Sequence, residues 1–139
     1  MTFKDPMLRQ WQEETAEDFD LLPIDDLPAP PSICYFVTGD AIGSGEKGKE
    51  LMIDFFTSMV NQRCYPKYVI LMDRAAGFLC RGHVLNPIFQ ELEKNGSTVF
   101  ASEESLRLYG WEKEIAPLFA ASTGKIIELL NSVDKVITL

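Results

Sequence analysis

A run of apolar and β-branched residues without polar alternation, Ile33-Cys34-Tyr35-Phe36-Val37-Thr38, passes directly into a glycine-bearing stretch, Gly39-Asp40-Ala41-Ile42-Gly43-Ser44-Gly45-Glu46-Lys47-Gly48-Lys49. A strand of that kind is covered on both faces, which is the habit of parallel sheets. The stretch that follows then lies at the carboxyl edge of a sheet and feeds a helix. In open α/β folds that edge is where ligands bind, and backbone N–H groups at a helix start favour anions there. Gly39, Asp40, Gly43 and Gly45 are therefore candidate ligand contacts.

The rest of the chain repeats the alternation. Glu46 to Asn61 places Leu51, Met52, Phe55, Phe56, Met59 and Val60 at helical spacing. Tyr68-Val69-Ile70-Leu71-Met72 reads as a second buried strand with Asp73 and Arg74 at its carboxyl end, where they fit either a ligand contact or a surface ion pair. Ala75 to Leu79 is a crossing rich in small residues. A helix then runs from about His83 or Pro87 to Lys94, stopped by Asn95-Gly96. Thr98-Val99-Phe100-Ala101 is a third strand, and Ser102 caps a short helix with Glu103 and Glu104 in its first turn. Trp111 to Ala121 has no assignable period. Ser122 or Thr123 caps a last helix through Ile126, Ile127, Leu129 and Leu130, and Lys135 to Leu139 is the final strand. This order predicts a three-layer α/β/α sandwich over residues 32–139, with a mainly parallel sheet of roughly five strands and right-handed crossovers.

Residues 1–31 differ in kind. Residues 1–30 hold eight Asp/Glu against Lys4 and Arg9, so they carry most of the net charge of −8 and leave thirteen acids and eleven bases in the remainder. With five prolines among those acids, the segment reads as an acidic arm or linker, and a short helix over Arg9 to Asp18 fits its pattern. A disordered tail and a docked arm both suit its scattered Trp11, Phe19, Leu21, Leu22 and Ile24. The remainder is nearly neutral and shows no basic stripe, which argues against a nucleic-acid surface. No apolar leader and no membrane-length apolar run is present, so the expectation is a cytoplasmic protein without a membrane partner.

The chemistry-bearing residues are few. Three widely spaced cysteines, Cys34, Cys64 and Cys80, suit neither a disulfide framework nor a zinc site. Cys80 stands beside Arg81, where positive charge can stabilise a thiolate, and is the candidate catalytic residue. His83 is the sole histidine, which removes a histidine-based metal cluster and suits a solvent-facing or capping role. No metal or cofactor is expected. Gly43-Ser44-Gly45-Glu46-Lys47-Gly48 matches G-x-G-x-x-G literally, but Gly39 to Ile42 intervene after the strand, and Asp73 follows too late for a ribose-binding acid. A Walker A reading meets Glu50 where a hydroxyl would hold magnesium. Nucleotide binding is accordingly an alternative with weak support.

Several pieces in order and spacing resemble the DsrE/DsrF-like proteins, and most closely the carboxyl-terminal domain of YedF-like proteins linked to selenium and sulfur metabolism. They are Val37-Thr38-Gly39-Asp40 with Gly43, Gly45 and Gly48; Ile70-Leu71-Met72-Asp73 followed by Gly82; Leu92-Glu93-Lys94-Asn95-Gly96; Leu106 with Tyr109-Gly110; and Ile126-Ile127-Glu128-Leu129-Leu130 with Asp134-Lys135-Val136-Ile137. The resemblance implies a DsrE-like α/β/α domain, assembly into homo- or hetero-oligomers, and relatives that carry sulfur as a cysteine persulfide. It also implies cysteine in the turn after the third strand. Here that turn holds Ser102 and Ser105, whose hydroxyls cannot form a persulfide.

The expected function is therefore a non-catalytic assembly subunit or a small-ligand or sulfur-relay accessory. Ser102, Ser105, Asp73 and Arg74 join the glycine-rich stretch as its candidate site. The alternative is a sulfur carrier or sulfurtransferase-like protein using Cys80, served by a sulfur-relay partner protein. A homo-oligomer is expected because Trp111 and Phe119 make their connection more aromatic than a solvated loop needs to be.

Overall fold

Every strand pairing in the sheet is parallel, and the strand order is β4-β3-β2-β1-β5. The computed structural model describes residues 29–139, so the acidic arm and the helix expected over Arg9 to Asp18 lie outside the described residues. The elements are β1 (Ile33–Val37), α1 (Gly48–Asn61), β2 (Tyr68–Leu71), a 3₁₀ helix (Asp73–Leu79), α2 (Asn86–Lys94), β3 (Thr98–Ser102) and α3 (Glu103–Tyr109). A 3₁₀ turn (Pro117–Phe119), β4 (Ala120–Ala121), α4 (Thr123–Ser132) and β5 (Lys135–Thr138) complete the order.

The layering follows from handedness. From β1 to β4 the chain moves across the sheet in one direction, and right-handed crossovers moving that way deposit their helices on one face. On that face Met52, Phe56 and Met59 of α1 and Phe89 and Leu92 of α2 bury against Val37, Val69, Leu71 and Val99. The Phe56 and Phe89 rings meet at 4.9 Å between centroids. The connection from β4 to β5 reverses direction and returns past β1, so α4 falls on the opposite face. There Ile126 and Leu129 cover Cys34, Ile70 and Ala121. Alternate residues of one strand thus feed opposite layers: Cys34 serves one core and Val37 the other. The result is the expected three-layer α/β/α sandwich on a five-stranded parallel sheet. Among the described residues no helix is long and apolar enough to cross a membrane.

A polar clasp joins the residue before β1 to the residue before β5. The Asp134 carboxylate accepts from the Ser32 backbone N–H at 2.9 Å and from its hydroxyl at 3.1 Å, while Ser32 Oγ accepts from the Asp134 N–H at 2.9 Å. These bonds hold the Asp134 carboxyl below the ordinary aspartate range and set β5 in register beside β1.

The expected boundaries shift where local hydrogen bonds compete with the helix. α1 starts at Gly48 rather than Glu46, because Gly48 N–H donates to the Gly45 carbonyl and its own carbonyl accepts from Ile42 at 2.9 Å, closing Gly45 to Lys47 into a turn. Of the two starts expected for α2, the one near Pro87 is observed: the helix begins at Asn86, and His83 Nδ1 takes the Leu85 N–H at 3.1 Å and holds the segment before it as a turn. The small-residue crossing is a 3₁₀ helix, and the unassigned connection hides β4, a two-residue strand too short to carry a period.

Gly48 is enclosed: a Cβ there would stand 2.9 Å from the Ile42 carbonyl oxygen and 3.0 Å from the Ala41 Cβ. Gly124 in α4 has nothing within 4 Å. In urea denaturation Gly48→Ala is expected to lose about 1–3 kcal/mol of stability, while Gly124→Ala is neutral or gains up to about 1 kcal/mol. Equal effects at the two positions would contradict the packing described.

Candidate functional site

The carboxyl ends of β2 and β3 are tied together through Asp73. Its backbone is left-handed, with φ of 56°, a conformation uncommon outside glycine. What holds it there is a buried serine: Asp73 N–H donates to Ser105 Oγ at 2.8 Å. Ser105 N–H in turn donates to Ser102 Oγ at 3.2 Å, which caps α3. Tyr109, at the end of α3, donates its hydroxyl to Asp73 Oδ1 at 2.5 Å, and that bond pushes the phenol's pKa up. Asp73, Ser102 and Ser105 are therefore brought together, but as structural bonds. Ser102 and Ser105 are 1% and 4% exposed and have their lone pairs turned to backbone donors, so neither hydroxyl is offered to a ligand.

A cleft of about 620 Å³ opens beside this knot. Asp40 enters from the glycine-bearing stretch, Arg74 and Cys80 from the segment after β2, and Tyr109 and Trp111 from the end of α3 and the residues beyond. The two aromatic rings stack at 4.6 Å with an interplanar angle of 19°. Trp111 lies so close over the 3₁₀ helix that a Cβ on Gly77 would stand 2.8 Å from its ring, which explains the glycine at that position. The small-residue run Ala75-Ala76-Gly77 is thus the seat of an indole.

Asp40 is the one residue of the glycine-bearing stretch that reaches the cleft, and it also faces Lys49 Nζ at 3.6 Å. Gly39, Gly43 and Gly45 stand outside its lining, because the bonds between Ile42, Gly45 and Gly48 fold that stretch upon itself. Gly43, with φ of 74°, serves that turn.

Cys80 meets a different neighbour from the expected one. Burial first, then a hydrogen bond and charge from the Glu114 carboxylate, push its thiol up to about 12. The thiol is protonated at neutral pH, and the neighbour that acts on it is Glu114 rather than the expected Arg81. Cys34, inside β1, is raised to about 11 by burial alone, and Cys64 is exposed. His83 lines the cleft with its ring 5.1 Å from that of Phe78, and burial lowers its pKa against the opposing influence of Asp40. The bond that Nδ1 accepts from the Leu85 N–H fits the neutral ring and holds the turn before α2, whose N-terminus has no side-chain cap. Among the described residues no cluster of His, Cys, Asp and Glu could hold a metal ion.

His83, Tyr109, Trp111 and Glu114 were not legible as site residues. Tyr109 and Trp111 flank Gly110, whose φ of 71° ends α3, and that aromatic pair around a helix stop was the one available signal. Glu114 had none. Trp111 and Phe119 pack with Ala76, Ala101, Leu106 and Ile115, so the aromatic content of their connection is used within the chain.

Among solved structures, the crystal structure of the YchN protein from E. coli matches with a TM-score of 0.58, at 16% identity over 78% of this chain and 99% of that one. The fold is DsrE-like. No protein-family model and no curated protein sequence matches the chain. At that identity the DsrE-like neighbour speaks for the arrangement of strands and helices alone, and the cleft has to be read from this chain's own residues.

Two outcomes follow from the geometry. Ser105→Ala leaves the Asp73 N–H without its acceptor, and urea denaturation should show a loss of about 1–3 kcal/mol; an unchanged midpoint would mean the bond does not hold the turn. For His83 the sign is set by burial: the unfolded chain, with a pKa near 6.5, binds the proton more readily than the folded one. Its contribution is complete above that value and is lost as pH falls below it. His83→Gln should flatten the decline in stability on acidification below pH 6.5.

Proposed function

We propose that this protein is a non-catalytic DsrE-fold accessory protein that binds a small ligand in the cleft beside Asp73 and works as a subunit of an assembly. Within that fold the sequence pattern favours the carboxyl-terminal domain of YedF-like proteins. The observation that carries the reading is convergence: Asp40 from the stretch after β1, and Arg74 and Cys80 from the segment after β2, line one cleft with a stacked Tyr109–Trp111 pair. A concave site with an aromatic wall and a few polar groups is the usual form of a small-molecule site.

The residues argue for binding rather than turnover. A nucleophile needs its thiolate, and Cys80 keeps its proton beside Glu114. Ser102 and Ser105 are taken up by backbone bonds. Nucleotide binding loses ground as well, since the glycine-bearing stretch presents a carboxylate to the cleft and no phosphate cradle. Self-association is part of the same reading. Leu108 and Leu118, 80% and 79% exposed, are the apolar side chains that a second copy would cover.

Native mass spectrometry of the full chain, purified gently from its producing cells, tests both parts. The expected spectrum shows a multiple of 15.7 kDa with a small molecule retained. A bare monomer would overturn the proposal. So would the addition of sulfur at Cys80 after incubation with polysulfide at neutral pH, lost in Cys80→Ser, which would establish the sulfur-carrier alternative.

A further inference from the structure

The charges around the cleft are not equivalent. The carboxylates that line it already have neighbours inside the chain: Asp40 faces Lys49 Nζ at 3.6 Å, and Glu114 stands against the Cys80 thiol. Its two guanidinium groups, Arg74 and Arg81, are in a different state. Both line the cleft; Arg74 stands against the Tyr109 hydroxyl, and neither has a carboxylate within 4.0 Å among the described residues, whereas Arg107 on the outer face of α3 is held by Glu103 and Glu104. Against the same opening stand the stacked Tyr109 and Trp111 rings, the indole seated on Gly77.

From this juxtaposition we infer that the ligand of the cleft is a small oxyanion, a carboxylate or phosphate ester, carried on a flat apolar body. Arg74 and Arg81 would take the oxyanion and the Tyr109–Trp111 wall the body. The planar guanidinium fork matches carboxylate and phosphate oxygens two at a time, and its weak hydration makes it the cation that loses least on leaving water. The aromatic pair offers a preformed apolar wall with little side-chain freedom left to lose. The volume of about 620 Å³ admits a bicyclic ring with its charged group. His83, also at the opening, is uncharged at neutral pH and accepts from the Leu85 backbone N–H, so it does not compete with the arginines. Arg81 also lines a second cleft of about 530 Å³, which shares Gly82 and Glu114 with the first and has Phe89 and Phe119 in its lining.

This inference rests on the small-ligand reading above, and its test separates the two. Naphthyl phosphate, naphthoate and naphthylmethanol share one ring body and differ in charge. Dissociation constants from calorimetry are read together with the Trp111 indole resonance in protein NMR. Both anions are expected to shift that resonance and to bind at least about tenfold more tightly than the alcohol. Arg74→Ala and Arg81→Ala should each remove most of that advantage and leave the alcohol's affinity unchanged, while Arg107→Ala changes nothing. If the alcohol shifts Trp111 and binds as tightly as the anions, or if Arg107→Ala weakens the anions as much as the cleft variants do, the oxyanion inference falls and the small-ligand reading stands. If no probe moves Trp111, both fall.

Discussion

Parallel pairing of β1 with β2 on one side and β5 on the other is the constraint on which the rest of the molecule depends. Cys34 aligns with Tyr68 and with Val136, so the first strand is hydrogen-bonded along both edges by segments far apart in sequence. Once β1 is central, right-handed crossovers leave little choice of layer. α1 and α2 are driven to one face, and α4, on the return path, to the other. The same pairing aligns all carboxyl ends at one edge, which is why residues as distant as Asp40, Arg74 and Trp111 can share an opening.

At that edge the chain uses its polar side chains to hold backbone rather than to present chemistry. The left-handed Asp73 is kept by Ser105, Ser105 by the Ser102 cap, and the Asp73 carboxylate by Tyr109. Hydroxyl and carboxylate groups so committed are poor candidates for ligands, because releasing them would leave buried or strained backbone groups unpaired. Cys80 follows the same economy. A thiol placed against a carboxylate is stabilised in its protonated form, which suits a wall and opposes a nucleophile. What faces the cleft without a carboxylate within 4.0 Å, among the described residues, is the pair of arginines, beside the stacked aromatic rings.

The layered α/β architecture was legible in the sequence because strands buried on both faces and helices with one apolar stripe have different periods. Val69-Ile70-Leu71 and the Met52, Phe56, Met59 set are cases of each. The N-cap role of Ser102 was legible too, since an oxygen-bearing side chain before two acids is a local signal. The two-residue β4 carries no period, and the choice between a start of α2 at His83 and one at Pro87 was decided by the bond His83 Nδ1 accepts from Leu85, which no propensity encodes. Asp73, Arg74, Asp40 and Cys80 could be named from their place after strands. Their partners Glu114 and Tyr109 could not, because nothing in local pattern says which distant group a side chain will meet.

The sequence by itself therefore determined the layers, the strand-helix alternation and the edge at which polar residues gather, all of which follow from short-range periodicity and burial. Only the tertiary structure decided which of those polar residues are spent on the fold and which face the opening. That division depends on contacts between residues such as Asp73 and Ser105, thirty-two positions apart, and on the neighbour that burial assigns to each charge. The glycine-bearing stretch after β1 shows the difference most directly. Its composition suggested an anion cradle, but its own hydrogen bonds closed it, and the free positive charge of the edge stands instead on Arg74 and Arg81.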